Sequence, residues 1–255
     1  MITKSNYILL LSILVLLLAS CTSKKQLTYM RNLGQTEEGF DIKPPKYRVQ
    51  KQDILYINIK SINDEINALF QTQPMEGRQM FQNETSLYIN GYVVDDSGKV
   101  EMPLLGQIPV EGLTLDEIKI VIRDRSKVYL KEASIDIKLI SFKFTVLGEV
   151  KKPDTYKNFN NQLTVLEAIG MAGDITDSGD RKNVLVVRPS HEGTKTFRID
   201  LSKKEVLNSE AFFLMPNDVV IVEPVRAKAF RANIPNMSLA LSTITTLILI
   251  LNYIK

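Results

Sequence analysis

The sequence predicts an α+β fold that lies between two apolar segments at the ends of the chain. Short runs in which apolar and polar residues alternate indicate β-strands, and two Thr-x-x-Glu motifs, beginning at Thr114 and Thr164, indicate the starts of helices. These elements do not follow a regular βαβ alternation, which favours α+β over a parallel α/β sheet. Roughly 210 residues separate the terminal segments, enough for two small domains.

Residues 1–20 have the pattern of a secretory signal peptide. Lys4 supplies the positive start, residues 8–18 are almost entirely apolar, and the small pair Ala19-Ser20 leads into Cys21. The apolar run is shorter than the roughly 20 residues of a transmembrane helix. The order Leu-Ala-Ser-Cys resembles the lipobox of bacterial lipoproteins, which implies cleavage before Cys21 and acylation of this residue. An ordinary signal peptide followed by an unrelated cysteine is the alternative.

The first strand region covers residues 47–60. Asp53 marks a turn, after which Leu55, Ile57 and Ile59 alternate with polar residues. Residues 61–85 are polar and predict an excursion with a short helix around residues 65–70. Residues 87–102 predict a hairpin whose turn is Asp-Asp-Ser-Gly at 95–98, and residues 103–110 predict a short apolar strand.

Two capping boxes begin the predicted helices. The first is followed at helical spacing by apolar residues up to Val128, and the second helix ends near Ala172, with Gly173 as the first residue beyond the cap. Between the helices, two alternating runs predict strands on shifted registers. These runs are Ile135, Ile137, Leu139 and then Phe142, Phe144, Val146. Further strands are predicted at residues 184–187, 197–201 and 219–222.

An apolar segment, residues 234–255, ends the chain. As a helix it would be roughly 30 Å long, close to the thickness of a bilayer core. Its polar residues follow spacings of four, three and seven, which places them on one helical stripe: Ser238, Ser242, Thr245 and Asn252. One interpretation is a transmembrane helix whose stripe faces a wet lumen. The other is an anchor whose hydroxyls mediate helix packing or bond to their own backbone.

Composition and motifs argue against several function classes. The single cysteine excludes an intrachain disulfide, and removal of residues 1–20 would lower the formal net charge only from +3 to +2, with no basic run that indicates nucleic acid binding. His191, the only histidine, lies in a polar loop. The acidic residues Asp174, Asp177 and Asp180 have the spacing of a helix-exit turn rather than a calcium loop. We therefore expect no enzyme, no cofactor and no metal site.

Several short motifs, in a fixed order, resemble one known family. Tyr-Arg-Val-Gln-Lys-Gln-Asp-Ile at 47–54, Asp-Ser-Gly-Lys-Val at 96–100, Pro-Leu-Leu-Gly-Gln-Ile-Pro-Val at 103–110 and Gly-Leu-Thr-Leu-Asp-Glu at 112–117 are similar to a polysaccharide-export domain. Val-Leu-Gly-Glu-Val at 146–150, Lys-Pro at 152–153, Leu-Thr-Val-Leu-Glu-Ala-Ile at 163–169 and Ala-Gly at 172–173 are similar to a soluble-ligand-binding β-grasp (SLBB-type) domain. The chain thus resembles the outer-membrane polysaccharide export family of capsule and exopolysaccharide secretion.

The resemblance implies a domain order. This order is a lipoprotein signal peptide (1–20), a tether (21–45), a polysaccharide-export domain (46–140), one soluble-ligand-binding β-grasp domain (141–225) and a C-terminal transmembrane helix (234–255). Three positions depart from the family's glycines: Gln52 replaces Gly of a Gly-Asp pair, Asp154 that of Pro-Gly, and Asp174 the last Gly of Ala-Gly-Gly. Asp tolerates turn backbones, so these changes do not threaten the fold, although they put in doubt any ligand contact through those glycine amides.

The resemblance also implies a function. The protein would be an outer-membrane lipoprotein, acylated (palmitate-type) on Cys21, with its soluble domains in the periplasm, and several copies would form a ring and translocation pore. The expected partners are further copies of the chain, the exported polysaccharide, the outer membrane and an inner-membrane polysaccharide co-polymerase, often joined to a tyrosine kinase. Terminal helices of this family are thought to form a barrel, which favours the lumen-facing stripe. The alternative is a lipid-anchored periplasmic glycan-binding or adaptor module that forms no pore.

Overall fold

The computed structural model describes residues 28–32, 39, 42–61, 91–130, 133–190 and 193–225, with 242, 243, 245–247, 250 and 253 near the C-terminus. Within these ranges, ten strands, two α-helices and one 3-10 helix form two successive modules. Each module surrounds its own cluster of buried apolar side chains. The mixed sheets and few helices agree with the α+β expectation.

The first module consists of five strands and one helix. Its elements are β1 (Ile54–Ser61), β2 (Tyr92–Val93), β3 (Lys99–Met102), β4 (Gly106–Pro109), α1 (Leu115–Ser126) and β5 (Ala133–Leu139). A three-stranded antiparallel sheet has the order β2-β1-β5, and β3 with β4 forms a separate two-stranded ladder.

The core of the first module follows from the alternation in β1 and β5. Leu55 and Ile57 pair with Leu139 and Ile137, and paired residues of an antiparallel ladder have their side chains on the same face. The apolar halves of both strands therefore point to one side, where the fully buried Ile118 of α1 joins the same cluster.

The hairpin predicted over residues 87–102 is wrong in its strand pairing. The turn forms as expected, because the Asp95 carboxylate accepts hydrogen bonds from the backbone N–H groups of Ser97 and Lys99, both at 2.9 Å. However, β2 pairs with β1, and β3 pairs with β4 through contacts such as Val100 with Ile108. The partner of β3 is thus β4, which lies within residues 103–110, and the two strands form a ladder of four residue pairs.

The second module contains five strands in one mixed sheet. Its elements are β6 (Lys143–Gly148), β7 (Asp154–Lys157), α2 (Val165–Met171), β8 (Gly179–Ser190), β9 (Gly193–Ile199), a 3-10 helix (Lys204–Asn208) and β10 (Val219–Pro224). The strand order is β7-β6-β10-β8-β9, with β10 parallel to β6 and antiparallel to β8. The helix α2 contributes Val165, Ala168 and Ile169 to the core. Two hairpins, β6 with β7 and β8 with β9, flank the central strand β10, and one helix packs against the same core, which is a β-grasp arrangement.

Both capping boxes are confirmed. The Thr114 hydroxyl accepts from the backbone N–H of Glu117 at 3.3 Å, and the Glu117 carboxylate accepts from the backbone N–H of Thr114 at 2.7 Å. The same two bonds join Thr164 and Glu167, at 3.2 and 2.7 Å. Each box satisfies two N–H groups that have no partner inside the helix, which fixes where the helix begins.

The helix ends agree with the sequence in one case only. Gly173 follows the cap residue Ala172 with φ +77°, as predicted for the residue after α2. The helix α1, in contrast, ends at Ser126, so that Val128, which the spacing placed on its apolar side, is 81% exposed.

Some predictions fall outside the described residues. These are the excursion beyond Ser61 with its helix at 65–70, the loop residue His191 and most of the segment 234–255. Among the residues that the structure does describe, no helix is both long and apolar enough to cross a membrane.

Candidate functional site

The predicted lipid and stripe residues are only partly described. Cys21, Ser238 and Asn252 lie outside the described ranges, whereas Ser242 and Thr245 have helical backbone and exposed side chains. The Thr245 hydroxyl donates to the backbone carbonyl of Ser242 at 2.9 Å. This is the backbone bond of the anchor interpretation, and it does not exclude a lumen, because a hydroxyl can donate to its own helix and still accept from water. Both interpretations therefore stay predictions.

A buried carboxylate joins the two modules. Asp53, at the start of β1, is only 5% exposed and accepts hydrogen bonds from the Tyr47 hydroxyl (2.7 Å), the Gln50 backbone N–H (2.8 Å) and the Ser141 hydroxyl (3.1 Å). The Ser141 oxygen in turn accepts from the backbone N–H of Ile54. Since Ser141 lies between β5 and β6, this network ties the beginning of the first sheet to the chain that enters the second module.

Burial governs the protonation of this network. It raises the pKa of Asp53 above its ordinary value, although the hydrogen bonds from Gln50, Tyr47 and Ser141 oppose the shift. Burial and the neighbouring carboxylate also raise the pKa of Tyr47, so the phenol stays protonated and can donate. The arrangement is a structural junction, because the hydroxyls of Tyr47 and Ser141 and the backbone N–H of Gln50 all donate to Asp53.

The space beside this junction is too small for a sugar. Its cavity holds about 40 Å³ and is lined by prolines, the Tyr47 ring, apolar side chains such as Leu139 and Phe142, and the polar residues 160–162. A volume of this size accommodates only a few water molecules. This cavity is therefore too small to enclose a sugar ring.

A second buried carboxylate lies inside the β-grasp module. Asp218 is fully buried and accepts from Nε of Arg188 at 3.0 Å and from Nη2 at 2.8 Å, while the Met215 backbone N–H donates to it at 2.8 Å. Burial raises the pKa of Asp218, and the arginine opposes this shift. Because Arg188 belongs to β8 and Asp218 immediately precedes β10, the pair fixes the approach of these strands.

The N-terminal segment makes a contact that the sequence did not predict. Residues 28–32, expected to be part of a tether, lie against the second module, where the Tyr29 hydroxyl donates to Asp174 and its ring covers the guanidinium of Arg181. The signal available in the sequence was a short cluster of apolar residues within the polar tether: Leu27, Tyr29, Met30 and Leu33.

Two of the three glycine departures adopt the backbone that glycine would. Gln52 has φ +67° and Asp174 has φ +75°, both in the left-handed region. Both residues thus occupy backbone conformations that glycine adopts without strain, and the tolerance of the fold to all three departures stays a prediction. Asp174 also retains the local turn, since its carboxylate accepts from the next backbone N–H, that of Ile175, at 2.6 Å.

The surface of the second module carries two open clefts, and Ser209 lines both. One has a volume of about 580 Å³ and the other about 480 Å³. The first is lined mainly by polar side chains: Asn32, Arg198, Asp200, Lys203 and Glu205. Both are large enough for a sugar residue, unlike the junction cavity.

Two tyrosines of the first module differ in exposure, and acidic residues at 174–180 bond to nearby backbone. Tyr92 is 9% exposed and Tyr129 is 47% exposed, whereas Tyr88 lies outside the described residues. The acidic run at residues 174–180 holds its own backbone, for example through Asp180, which accepts from the Lys182 N–H at 3.0 Å. No group of three potential metal ligands occurs within the part of the chain that the structure describes.

Comparisons with known proteins agree with this architecture. Residues 41–140 match the family described as Polysaccharide biosynthesis/export protein, and residues 142–222 match the SLBB domain. The chain is 25% identical over 188 residues to the EPS I polysaccharide export outer membrane protein EpsA of Ralstonia nicotianae, covering 71% of this chain and 48% of that protein. It is 26% identical over 191 residues to the protein of the same name from Ralstonia solanacearum, covering 71% and 49%. The chain spans about half the length of the curated relatives it matches.

The fold and these matches define a two-module α+β protein in which a sheet-and-helix module precedes a β-grasp module. The chain belongs to the polysaccharide export family. The family expected from the sequence motifs is thereby confirmed, and the expected outer-membrane location agrees with the names of both relatives.

Proposed function

We propose that this protein is an outer-membrane lipoprotein subunit of a channel that exports a capsule or exopolysaccharide. The observation that carries the proposal is the presence of both family modules, in order, in one chain. The relatives are named outer membrane export proteins, which supports the outer membrane as the location and a polysaccharide as the cargo.

The proposed arrangement attaches the chain to the membrane at both ends. The acyl chains on Cys21 enter the periplasm-facing leaflet, the two modules lie in the periplasm, and residues 234–255 cross the outer membrane. Several copies form a ring whose helices turn Ser238, Ser242, Thr245 and Asn252 inward. A polymer of sugars needs a wet path, and inward hydroxyls with outward leucines provide one.

A deletion of residues 235–255 tests the channel. We expect surface polysaccharide to disappear while the lipoprotein stays in the membrane fraction, because the lipid on Cys21 remains. Immunoblots of that fraction exclude simple loss of the protein, and a tag after Lys255, probed on intact cells, reports whether this end reaches the outside. Normal export by the deletion strain would contradict the channel.

Single cysteines test the stripe. The proposed acylation blocks the thiol of Cys21, so an introduced cysteine would be the only free thiol in the chain. We expect a membrane-impermeant thiol reagent to label Ser242→Cys and Thr245→Cys, and to leave the matched control Ile244→Cys unlabelled, because Ile244 would face lipid. Equal labelling at all three positions would refute the lumen-facing stripe.

Electron microscopy of detergent-purified protein tests the ring. Closed rings of constant subunit number support the channel. Strict monomers that bind glycan through their soluble modules would instead support the lipid-anchored adaptor. Crosslinking in cells tests the remaining partner, an inner-membrane co-polymerase, whose absence from the crosslinked products would remove it from the proposal.

A further inference from the structure

Residues 28–32 make a continuous set of contacts with the second module. The backbone N–H of Met30 donates to the Leu201 carbonyl at 3.0 Å, and that of Arg31 donates to the Ser202 carbonyl at 2.8 Å. Leu201 and Ser202 follow β9 and are themselves buried. The Arg31 side chain adds a 2.9 Å bond to the Ser202 hydroxyl. The segment therefore uses backbone and side chain together, as a specific docked peptide does.

Asn32 completes the contact by capping the 3-10 helix. The N-cap residue of that helix, Lys203, provides no side-chain cap. The side-chain Oδ1 of Asn32 instead accepts from the backbone N–H of Lys204 at 2.6 Å, while its Nδ2 donates to the Glu205 carboxylate at 3.0 Å. One side chain, distant in sequence, thus satisfies an N–H group that the helix leaves unpaired.

Tyr29 occupies the other end of the contact. Its hydroxyl donates to Asp174, and its ring lies 5.1 Å from the guanidinium carbon of Arg181, which is only 4% exposed. Arg181 also donates to the Ile175 carbonyl at 3.1 Å and lies 3.8 Å from the Asp174 carboxylate. Tyr29 therefore covers a buried cation and binds the anion beside it. Burial raises the pKa of Tyr29 to about 12, so the hydroxyl remains a donor at neutral pH.

The carboxylate that receives Tyr29 is a departure from the family's sequence pattern. Asp174 stands where the family pattern has a glycine, and it keeps a positive φ of +75°. A glycine there would form the turn without strain but could not accept the tyrosine hydroxyl. Aspartate at this position therefore introduces some backbone strain and provides a hydrogen-bond acceptor for Tyr29.

We propose that the surface formed by Asp174, Arg181, Leu201, Ser202 and Glu205 is a docking site for residues 28–32, the segment that follows the lipid-bearing cysteine. The proposal rests on the acylation of Cys21 proposed above only for its consequence at the membrane. Eight residue steps separate Cys21 from Tyr29, a reach of at most roughly 28 Å, whereas without docking the next contact with the second module, at Ile42, would allow roughly 75 Å. Docking therefore holds the β-grasp module close beneath the lipid.

Hydrogen exchange on the full-length chain in detergent tests the docking. We expect slow exchange at the amides of Met30 and Arg31, and an acceleration of at least about tenfold in both Tyr29→Ala and Asp174→Gly. The second variant guards against misfolding, because glycine suits the backbone at this position. Tyr129→Ala, which removes a half-exposed tyrosine of the first module, is the matched control and should leave the two amides protected.

The outcomes separate this proposal from the proposed function. Exchange at the unstructured-peptide rate in the wild-type chain would overturn the docking site, even if surface polysaccharide were exported normally. Unchanged protection in both Tyr29→Ala and Asp174→Gly would overturn the role of these two residues. An unacylated Cys21→Ser chain should keep the protection, since residues 28–32 make every contact themselves, so a failure of lipidation or of export leaves this readout intact.

Discussion

Arg188 donates from Nε and Nη2 to the carboxylate of Asp218, at 3.0 and 2.8 Å, and the aspartate is fully buried in the centre of the β-grasp module. The same guanidinium donates to the Phe213 carbonyl at 2.9 Å and lies 5.3 Å from the Phe197 ring. One side chain therefore connects β8, β9 and the loop before β10. Removal of either partner would leave a charge in the protein interior without its counter-charge.

We expect Asp218→Ala to lower the free energy of unfolding by about 3–5 kcal/mol, because the Arg188 side chain, only 15% exposed, would lose its counter-charge. The double variant Arg188→Met/Asp218→Leu should recover much of this loss, since it removes both charges. Denaturant titrations of the purified variants measure both effects. The matched control is Arg198→Met, which breaks an exposed ion pair with Glu223 and should cost at most about 1 kcal/mol. If Asp218→Ala and Arg198→Met lowered the free energy of unfolding equally, the result would contradict the role of burial.

The hydroxyl of Tyr47 should contribute to the junction of the modules. Tyr47→Phe removes its hydrogen bond to the buried Asp53 while keeping the ring. We expect a loss of about 1.5–3 kcal/mol, the range for hydrogen bonds to charged groups. Thermal unfolding in detergent measures it, with Tyr129→Phe as a control on a half-exposed tyrosine. If Tyr47→Phe leaves the stability unchanged, the hydroxyl adds nothing to it.

Asp53 should give the unfolding free energy a characteristic pH dependence. Its folded-state pKa lies above the ordinary value of 3.8, so the folded protein binds a proton more readily than the unfolded chain. The contribution of Asp53 to stability is therefore greatest at low pH and falls as the pH rises from 3.8 through the folded-state pKa, above which it is constant. The free energy of unfolding of the wild type minus that of Asp53→Asn, measured from about pH 3 to about pH 7, should decrease over this window. A difference that grows with pH would have the wrong sign.

Local rules made much of the fold predictable from the sequence. Thr114 and Thr164 could be assigned as helix caps because a capping box uses only residues three positions apart. The alternation of Leu55, Ile57 and Ile59 likewise reports directly which face of a strand is buried. Both signals depend on neighbours in sequence, and the structure confirms both.

Pairing over longer distances could not be predicted in the same way. Nothing local to residues 99–102 shows that β3 pairs with β4 rather than with β2. Tyr29 and Asp174 are separated by 145 positions, and the contact requires the folded surface around Arg181. The three groups bonded to Asp53 come from two modules, so the sequence indicated the turn at Asp53 but not the junction.

Gln52 offers a test of backbone strain at a position where the family pattern has glycine. Its φ of +67° costs a residue with a Cβ about 1–2 kcal/mol, whereas glycine adopts this conformation freely. Glycine also gains freedom in the unfolded chain, which offsets part of the benefit. The side chain contributes one exposed hydrogen bond, from Nε2 to Asp96 at 3.1 Å, and its loss costs little. We therefore expect Gln52→Gly to raise the free energy of unfolding by about 0.5–1 kcal/mol. Gln52→Ala removes the same hydrogen bond but keeps the Cβ, so it should give no gain, and equal stability of the two variants would contradict the strain argument.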